Sequence, residues 1–143
     1  MLGFFEHQYL AYKKNHIKSL LALANADGHM HEKEIELLFK IGKRYKLKTR
    51  QIQELIDSTE KFEIIVPNNH HDKMNLLYDL ILMVYADEVV NPHEIEFCED
   101  VADQFGMKKS IVKWLISQFG KGTPPPPDEW EEIKEEALDK FMK

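Results

Sequence analysis

The chain has 143 residues, 43% of them apolar and 31% charged, and carries a net charge of −6. That length and apolar fraction describe a soluble globular protein able to bury a core, and no apolar run approaches the roughly 20 residues that span a bilayer. The negative balance argues against nucleic acid or an anionic membrane as the main partner, because phosphates are gripped by clustered Lys and Arg.

In chain order, Phe4 to Asn25 reads as helix, with Tyr9, Ile17, Leu20, Leu21 and Ala24 on a broad apolar face. Asn15 leaves open one bent helix or two short ones. The segment ahead of it, Met1 to His7, has no basic n-region, so a secretory leader is not expected. Ala26 to His31 forms a turn in which Gly28 supplies a positive φ. A second helix carries Ile35, Leu38, Phe39, Gly42 and Tyr45 at helical spacing. Thr49 is placed as the N-cap of a third, with Ile52, Leu55 and Ile56 inward. The basic run Lys43 to Arg50 lies at that junction, interleaved with apolar positions. It reads as a solvated helix end or as a basic docking patch.

Glu63 to Pro67 is the one strand-like run; short, solitary and closed by proline, it is expected to be an extended linker. Asn68 or Asn69 caps the next helix, Lys73 to Asp87, the most apolar in the chain. A further turn precedes a helix bearing Ile95, Cys98, Val101, Ala102 and Phe105, ended by Gly106; Ile111 to Phe119 makes another. Gly120 to Pro127 breaks the pattern, its prolines favouring a stiff polyproline II spacer. Asp128 is placed as the cap of a last helix whose Trp130, Ile133, Ala137, Leu138 and Phe141 form an apolar face. That helix either folds back on the core or docks on a partner. Cys98, the single cysteine, falls on an apolar face and suits a reducing cytoplasm.

The organising feature is a register of 60 residues. Ala26-Asp27-Gly28 followed by Glu34-Ile35 returns as Ala86-Asp87-Glu88 followed by Glu94-Ile95. Leu20 matches Leu80, Lys48 matches Lys108, and Leu55-Ile56 matches Leu115-Ile116, with no insertion between. This predicts an internal duplication with two pseudo-twofold-related helical repeats, about residues 17–56 and 77–116. The fold class is an all-α bundle of about seven helices. The organisation is one domain over 1–120, a Gly/Pro spacer over 121–127 and a C-terminal helix over 128–143.

Two readings of the acidic turns stand side by side. In Asn91-Pro92-His93-Glu94 the Asn is an N-cap, the Pro sits at N1 and the Glu at N3, a capping box; His31 to Glu34 has the same spacing. Glu34 and Glu94 then satisfy backbone N–H groups. Asp27 and Asp87, by contrast, end helices, where the dipole disfavours a carboxylate and something must compensate. Asp27 and Glu34 also keep the spacing of the later positions of an EF-hand calcium loop. The earlier positions fall on Leu23 or Met83 and on Asn25 or Tyr85, so a complete EF-hand is excluded. A weaker divalent-cation site pooling Asp27, Glu34, Asp87 and Glu94 would favour Ca²⁺ or Mg²⁺ over Zn²⁺ on its oxygen ligands. His29, His31 and His93 lie near these acids and His70-His71 in the linker, without zinc-site spacing.

At Leu20-Leu21-Ala22-Leu23-Ala24-Asn25-Ala26-Asp27-Gly28 with Glu34-Ile35, and again at Val84-Tyr85-Ala86-Asp87-Glu88 with Glu94-Ile95, the sequence resembles the tellurite-resistance TerB family. The same fold forms the N-terminal region of certain DnaJ-type co-chaperones. The resemblance covers about Ile17 to Phe119. It implies an all-helical two-repeat fold, acidic turns that bind metal ions, and a place in stress-response assemblies rather than catalysis. Glu88 departs from the motif, which has glycine there. The functional expectation is a cytoplasmic, metal-responsive protein-interaction module, with a homodimer among its candidate assemblies. The alternatives are a metal-free scaffold and, third, a hydrolase with a mixed His/carboxylate metal site.

Overall fold

Helical periodicity in the sequence becomes seven α-helices among the described residues of the computed structural model: 4–26, 30–86, 90–119 and 124–143, with side chains from residue 10 onward. They are α1 (Phe4–Ala24), α2 (Glu32–Arg44), α3 (Thr49–Asp57), α4 (His70–Tyr85), α5 (Pro92–Gln104), α6 (Ile111–Gln118) and α7 (Pro127–Phe141). The all-α expectation is met. Among the described residues no helix is long and apolar enough to cross a membrane.

The chain divides into two compact units, Met1–Ile65 and Val66–Lys143. In the first, α1 packs on α2 and α3, and α2 packs on α3. Asn15 does not interrupt α1, which runs as one helix of 21 residues. Its Ile17, Leu20, Leu21 and Ala24 are buried, together with Leu38 and Ile41 of α2 and Ile52 of α3. Residues 60–67 have no regular secondary structure, as expected of the linker. The Ile65 N–H donates to Ser19 Oγ at 3.0 Å, and the Lys18 ammonium lies 5.5 Å from the Phe62 ring centre.

In the second unit α4 packs on α5, α6 and α7, and α5 packs on α6. Helix α4 is the apolar spine: Met74, Leu76, Leu77, Leu80, Ile81, Met83 and Val84 are all buried. Asn69 caps it, its side chain accepting from the Asp72 N–H at 2.9 Å. The helix starts three residues earlier than Lys73, so His70 and His71 belong to its first turn and not to the linker. Two caps also move. Lys48, not Thr49, is the N-cap of α3, its N–H bonded to Gln51 Oε1 at 2.8 Å. Pro126, not Asp128, is the N-cap of α7: Pro127 at N1 already has the helical φ, which leaves Asp128 at N2, a favourable place for an acid.

The duplication is visible unit by unit. Helices α2 and α5 each have 13 residues and begin 60 apart. The sequence of buried, half-buried and exposed positions over 31–40 recurs unchanged over 91–100. Both helices end in the same Schellman motif. Leu47 N–H bonds Gly42 C=O and Met107 N–H bonds Ala102 C=O, each at 2.9 Å, with Lys46 (φ 64°) and Gly106 (φ 80°) in the left-handed region.

The C-terminal helix folds back on its own unit. Trp130, Ile133 and Ala137 are buried, and Tyr78 of α4 meets the Trp130 ring at 4.7 Å between centroids. The polyproline geometry of the spacer holds at Pro126 (φ −66°, ψ 162°), and Tyr78 Oη donates to the Pro125 carbonyl at 3.2 Å. Beyond α7 the chain pairs with the α5–α6 junction. Met142 forms an isolated antiparallel bridge with Met107, Lys108 N–H bonds Phe141 C=O at 2.7 Å, and Lys143 N–H bonds Gly106 C=O at 3.1 Å.

Candidate metal-binding turns

Each acidic turn leads into the N-terminus of the second helix of its unit. In the first unit His31 is the N-cap, extended at φ −76° and ψ 151°, and Glu34 is N3. Glu34 Oε1 accepts from the His31 N–H at 3.0 Å, one arm of the capping box. The side chain is only 3% exposed. A carboxylate is stabilised there by the positive end of the helix dipole and by the N–H groups of the first turn. Asp27, Gly28 and His29, on which the turn's positive φ and its aspartate were placed, lie outside the described residues.

In the second unit Asn91 is the N-cap with Pro92 at N1. Asn91 Oδ1 accepts from the His93 N–H at 2.8 Å, and Glu94 at N3 is 8% exposed. Asp87 and Glu88 again lie outside the described residues. One turn along α5 sits Cys98, fully buried; burial first, then the charges of Glu94 and Glu99, push its thiol well above the usual range. The matching residue in the first unit is Leu38, equally buried.

Of the four candidate ligands, then, the structure describes Glu34 and Glu94, each buried at N3 of its own unit. Among the described residues no group of three or more His, Cys, Asp and Glu side chains converges as a metal site. Chemically, a carboxylate with lone pairs on both oxygens can accept a backbone N–H and still offer an oxygen donor. His93 is largely exposed and lies 4.0 Å from Glu96 Oε2. His71 meets Lys134 of α7.

Buried polar residues elsewhere escaped the sequence reading. Lys134 lies on the apolar face of α7, 4% exposed, with its Nζ 2.8 Å from Glu131 Oε1, 2.9 Å from His71 Nδ1 and 3.5 Å from Asn75 Oδ1. An ammonium has only donors, so His71 Nδ1 presents its lone pair. Trp130 Nε1 donates to Asn75 Oδ1 at 3.0 Å. The hydrogen bond from Lys134 holds the Glu131 carboxyl below its ordinary value. Asp79, on α4, is completely buried at the position matched by Ser19 in the first unit. The signal for Lys134 was present, a lone cation amid Trp130, Ile133 and Ala137. Its partner, 63 residues away, was not.

No protein-family model matches this chain, and neither a curated protein nor a solved structure resembles it closely enough to match.

Proposed function

We propose that the protein is a non-catalytic helical interaction module of the TerB-like kind, in which each of the duplicated acidic turns takes up a divalent cation, through Asp27 and Glu34 in the first unit and Asp87 and Glu94 in the second. The observation that carries this reading is the burial of Glu34 and Glu94 at matched N3 positions directly after the two Asp-bearing turns. A carboxylate that accepts a backbone N–H keeps lone pairs that can serve a cation. An all-oxygen donor set suits Ca²⁺ or Mg²⁺. Ion uptake at the turns would alter the presentation of the second helix of each unit, and with it the binding of a protein partner in a stress response. A reducing cytoplasm fits the single cysteine. The non-catalytic part of the reading is supported by Cys98, whose thiol is sealed from solvent and held protonated, the opposite of an activated nucleophile.

A second reading, a metal-free scaffold, is favoured by the hydrogen bond from His31 N–H to Glu34, which gives the carboxylate a structural use. Native mass spectrometry and calorimetric titration with Ca²⁺, Mg²⁺, Mn²⁺ and Zn²⁺ separate the two. Saturable binding that Asp27→Asn and Asp87→Asn each weaken at least tenfold, with the helical circular dichroism retained, supports the ion site. No binding at millimolar ion overturns it and leaves the scaffold.

A further inference from the structure

The two units control for each other. The corner joining α2 to α3 shares its Schellman bonds and left-handed residue with the corner joining α5 to α6, although α6 begins two residues later in the register than α3. The side chains on the two corners have opposite sign. Lys40, Lys43, Arg44, Lys46 and Arg50 stand where the second unit has Asp100, Asp103, Gln104, Gly106 and Ser110, and Lys48 matches Lys108. From residue 40 to 50 there are six cations and no acid.

The helix dipole accounts for part of this. Lys43 and Arg44 suit the C-terminus of α2, but Lys48 and Arg50 sit at the N-terminus of α3, where a cation is disfavoured. The second unit makes the same Schellman turn with Asp103 at its helix end, so that turn does not require the basic set. On the second unit's corner the C-terminal segment pairs with the backbone, Lys143 Nζ reaches the Asp103 carboxylate, and Lys109 Nζ lies 3.3 Å from Asp100. All six cations of the first corner are exposed, Arg50 pairing with Glu54 at 3.8 Å and Arg44 lying 5.4 Å from the Tyr45 ring centre.

The complementary surface is on the same chain. The outer face of α7 carries Asp128, Glu129, Glu131, Glu132, Glu135, Glu136 and Asp139, all exposed. Two of these pair within the helix, Glu131 with Lys134 and Glu136 with Lys140. The stripe from Asp128 to Asp139 is about 16 Å long at the helical rise. Residues 1–65 carry eleven Lys and Arg against nine Asp and Glu; residues 66–143 carry eight against sixteen. Each copy carries the same net charge of −6, so attraction between copies is local: the acidic stripe of one α7 against the basic corner of the other copy.

We propose that the basic α2–α3 corner of one copy docks on the acidic outer face of α7 of a second copy. A small polar contact of this kind is weak and salt-sensitive, held by charge complementarity rather than by apolar area.

Sedimentation equilibrium of the full chain tests it, at about 50 mM and about 500 mM salt, which bracket the screening of exposed charges. The weight-average mass is expected to rise above 16.9 kDa with concentration at low salt, and the association constant to fall at least tenfold at high salt. Lys43→Glu with Arg44→Glu, and separately Glu132→Lys with Glu135→Lys, should each abolish association while circular dichroism stays unchanged. Mixing the two variants restores opposite charges at both contacts and should recover association at least tenfold over either alone. A chain that remains monomeric at low salt overturns the proposal, as does failure of the mixture to recover. If the corner variant self-associates like wild type but no longer binds inorganic polyphosphate, the occupant is a polyanion and the proposal is equally overturned.

Discussion

Gly42 and Ile52 form a contact in which the two units have exchanged volume. A Cβ added at Gly42 would stand 2.5 Å from Ile52 Cδ1 and 2.7 Å from Cγ1, far inside the ~3.5–4.0 Å of comfortable carbon contact. Ile52 is completely buried and has nowhere to swing. The matched positions of the second unit hold Ala102 and Val112, both fully buried. Gly42→Ala gains about 1 kcal/mol of helix propensity in α2 but incurs about 1–3 kcal/mol of overpacking, so it should destabilise by up to about 2 kcal/mol. Ile52→Val alone should cost about 0.5–1.5 kcal/mol for the lost methyl. The double variant removes the closest clash, keeps the propensity gain and copies the second unit. It should lie within about 1 kcal/mol of wild type, a favourable coupling of about 1 kcal/mol or more. Urea unfolding followed by circular dichroism reads this; a loss of 1.5 kcal/mol moves the midpoint by about 1 M. Trp114 and Trp130 both lie in the second unit, so their fluorescence serves as the control that the change is confined to the first. Effects that add within about 0.5 kcal/mol would refute the pairing of Gly42 with Ile52 as a volume exchange.

Lys46 holds a left-handed φ that Gly106 holds without strain. Lys46→Gly should therefore stabilise by about 0.5–1 kcal/mol, and Gly106→Ala, whose Cβ meets nothing within 4 Å, should lose about 1 kcal/mol through conformation alone; urea midpoints check both. Asp103 and Glu131 are held below their ordinary values by Lys143 and Lys134, so what Asp103 contributes to holding the C-terminal segment, and Glu131 to α7, is complete above pH ~5 and is lost as pH falls through the lowered values. Acid titration of tryptophan fluorescence should show that loss, with Lys143→Ala removing the Asp103 part. Cys98 should react with a disulfide reagent only as fast as the second unit unfolds, its thiol being buried and held protonated; rapid labelling of the native protein would contradict its placement.

The repeat and the helices were legible because they rest on local period and on burial, which apolar spacing records directly. Residues 17–24 and 76–84 announce their buried faces, and Asn69, Asn91 and Gly106 are punctuation with a short-range mechanism. The caps placed at Thr49 and Asp128 were off by one or two positions for the same reason. Residue preference at a cap is graded, and a glutamine three residues on or a proline at N1 outweighs it. The partners that tie α7 down were not legible. Trp130 with Asn75 and Tyr78 with Pro125 join positions 55 and 47 residues apart, and Asp79 lies within the most apolar run in the chain.

Function is harder to read than fold here because one spacing serves two chemistries. A glutamate at N3 is both a good cap and a good oxygen ligand, and ion titration of the turns is the measurement that divides the two. Departures from the 60-residue register discriminate better, because the matched unit shows what the fold tolerates. Gly42 with Ile52 against Ala102 with Val112 is a departure compensated within the core, and it speaks of packing. Lys46 against Gly106 is uncompensated in the backbone: the first unit retains a strained cation where glycine would fit. A lysine kept at a conformational disadvantage, exposed, amid five other cations, contributes its charge rather than its backbone. The α2–α3 corner is therefore the place where the first unit departs furthest from what folding alone requires, and the place where a partner's charge would be felt.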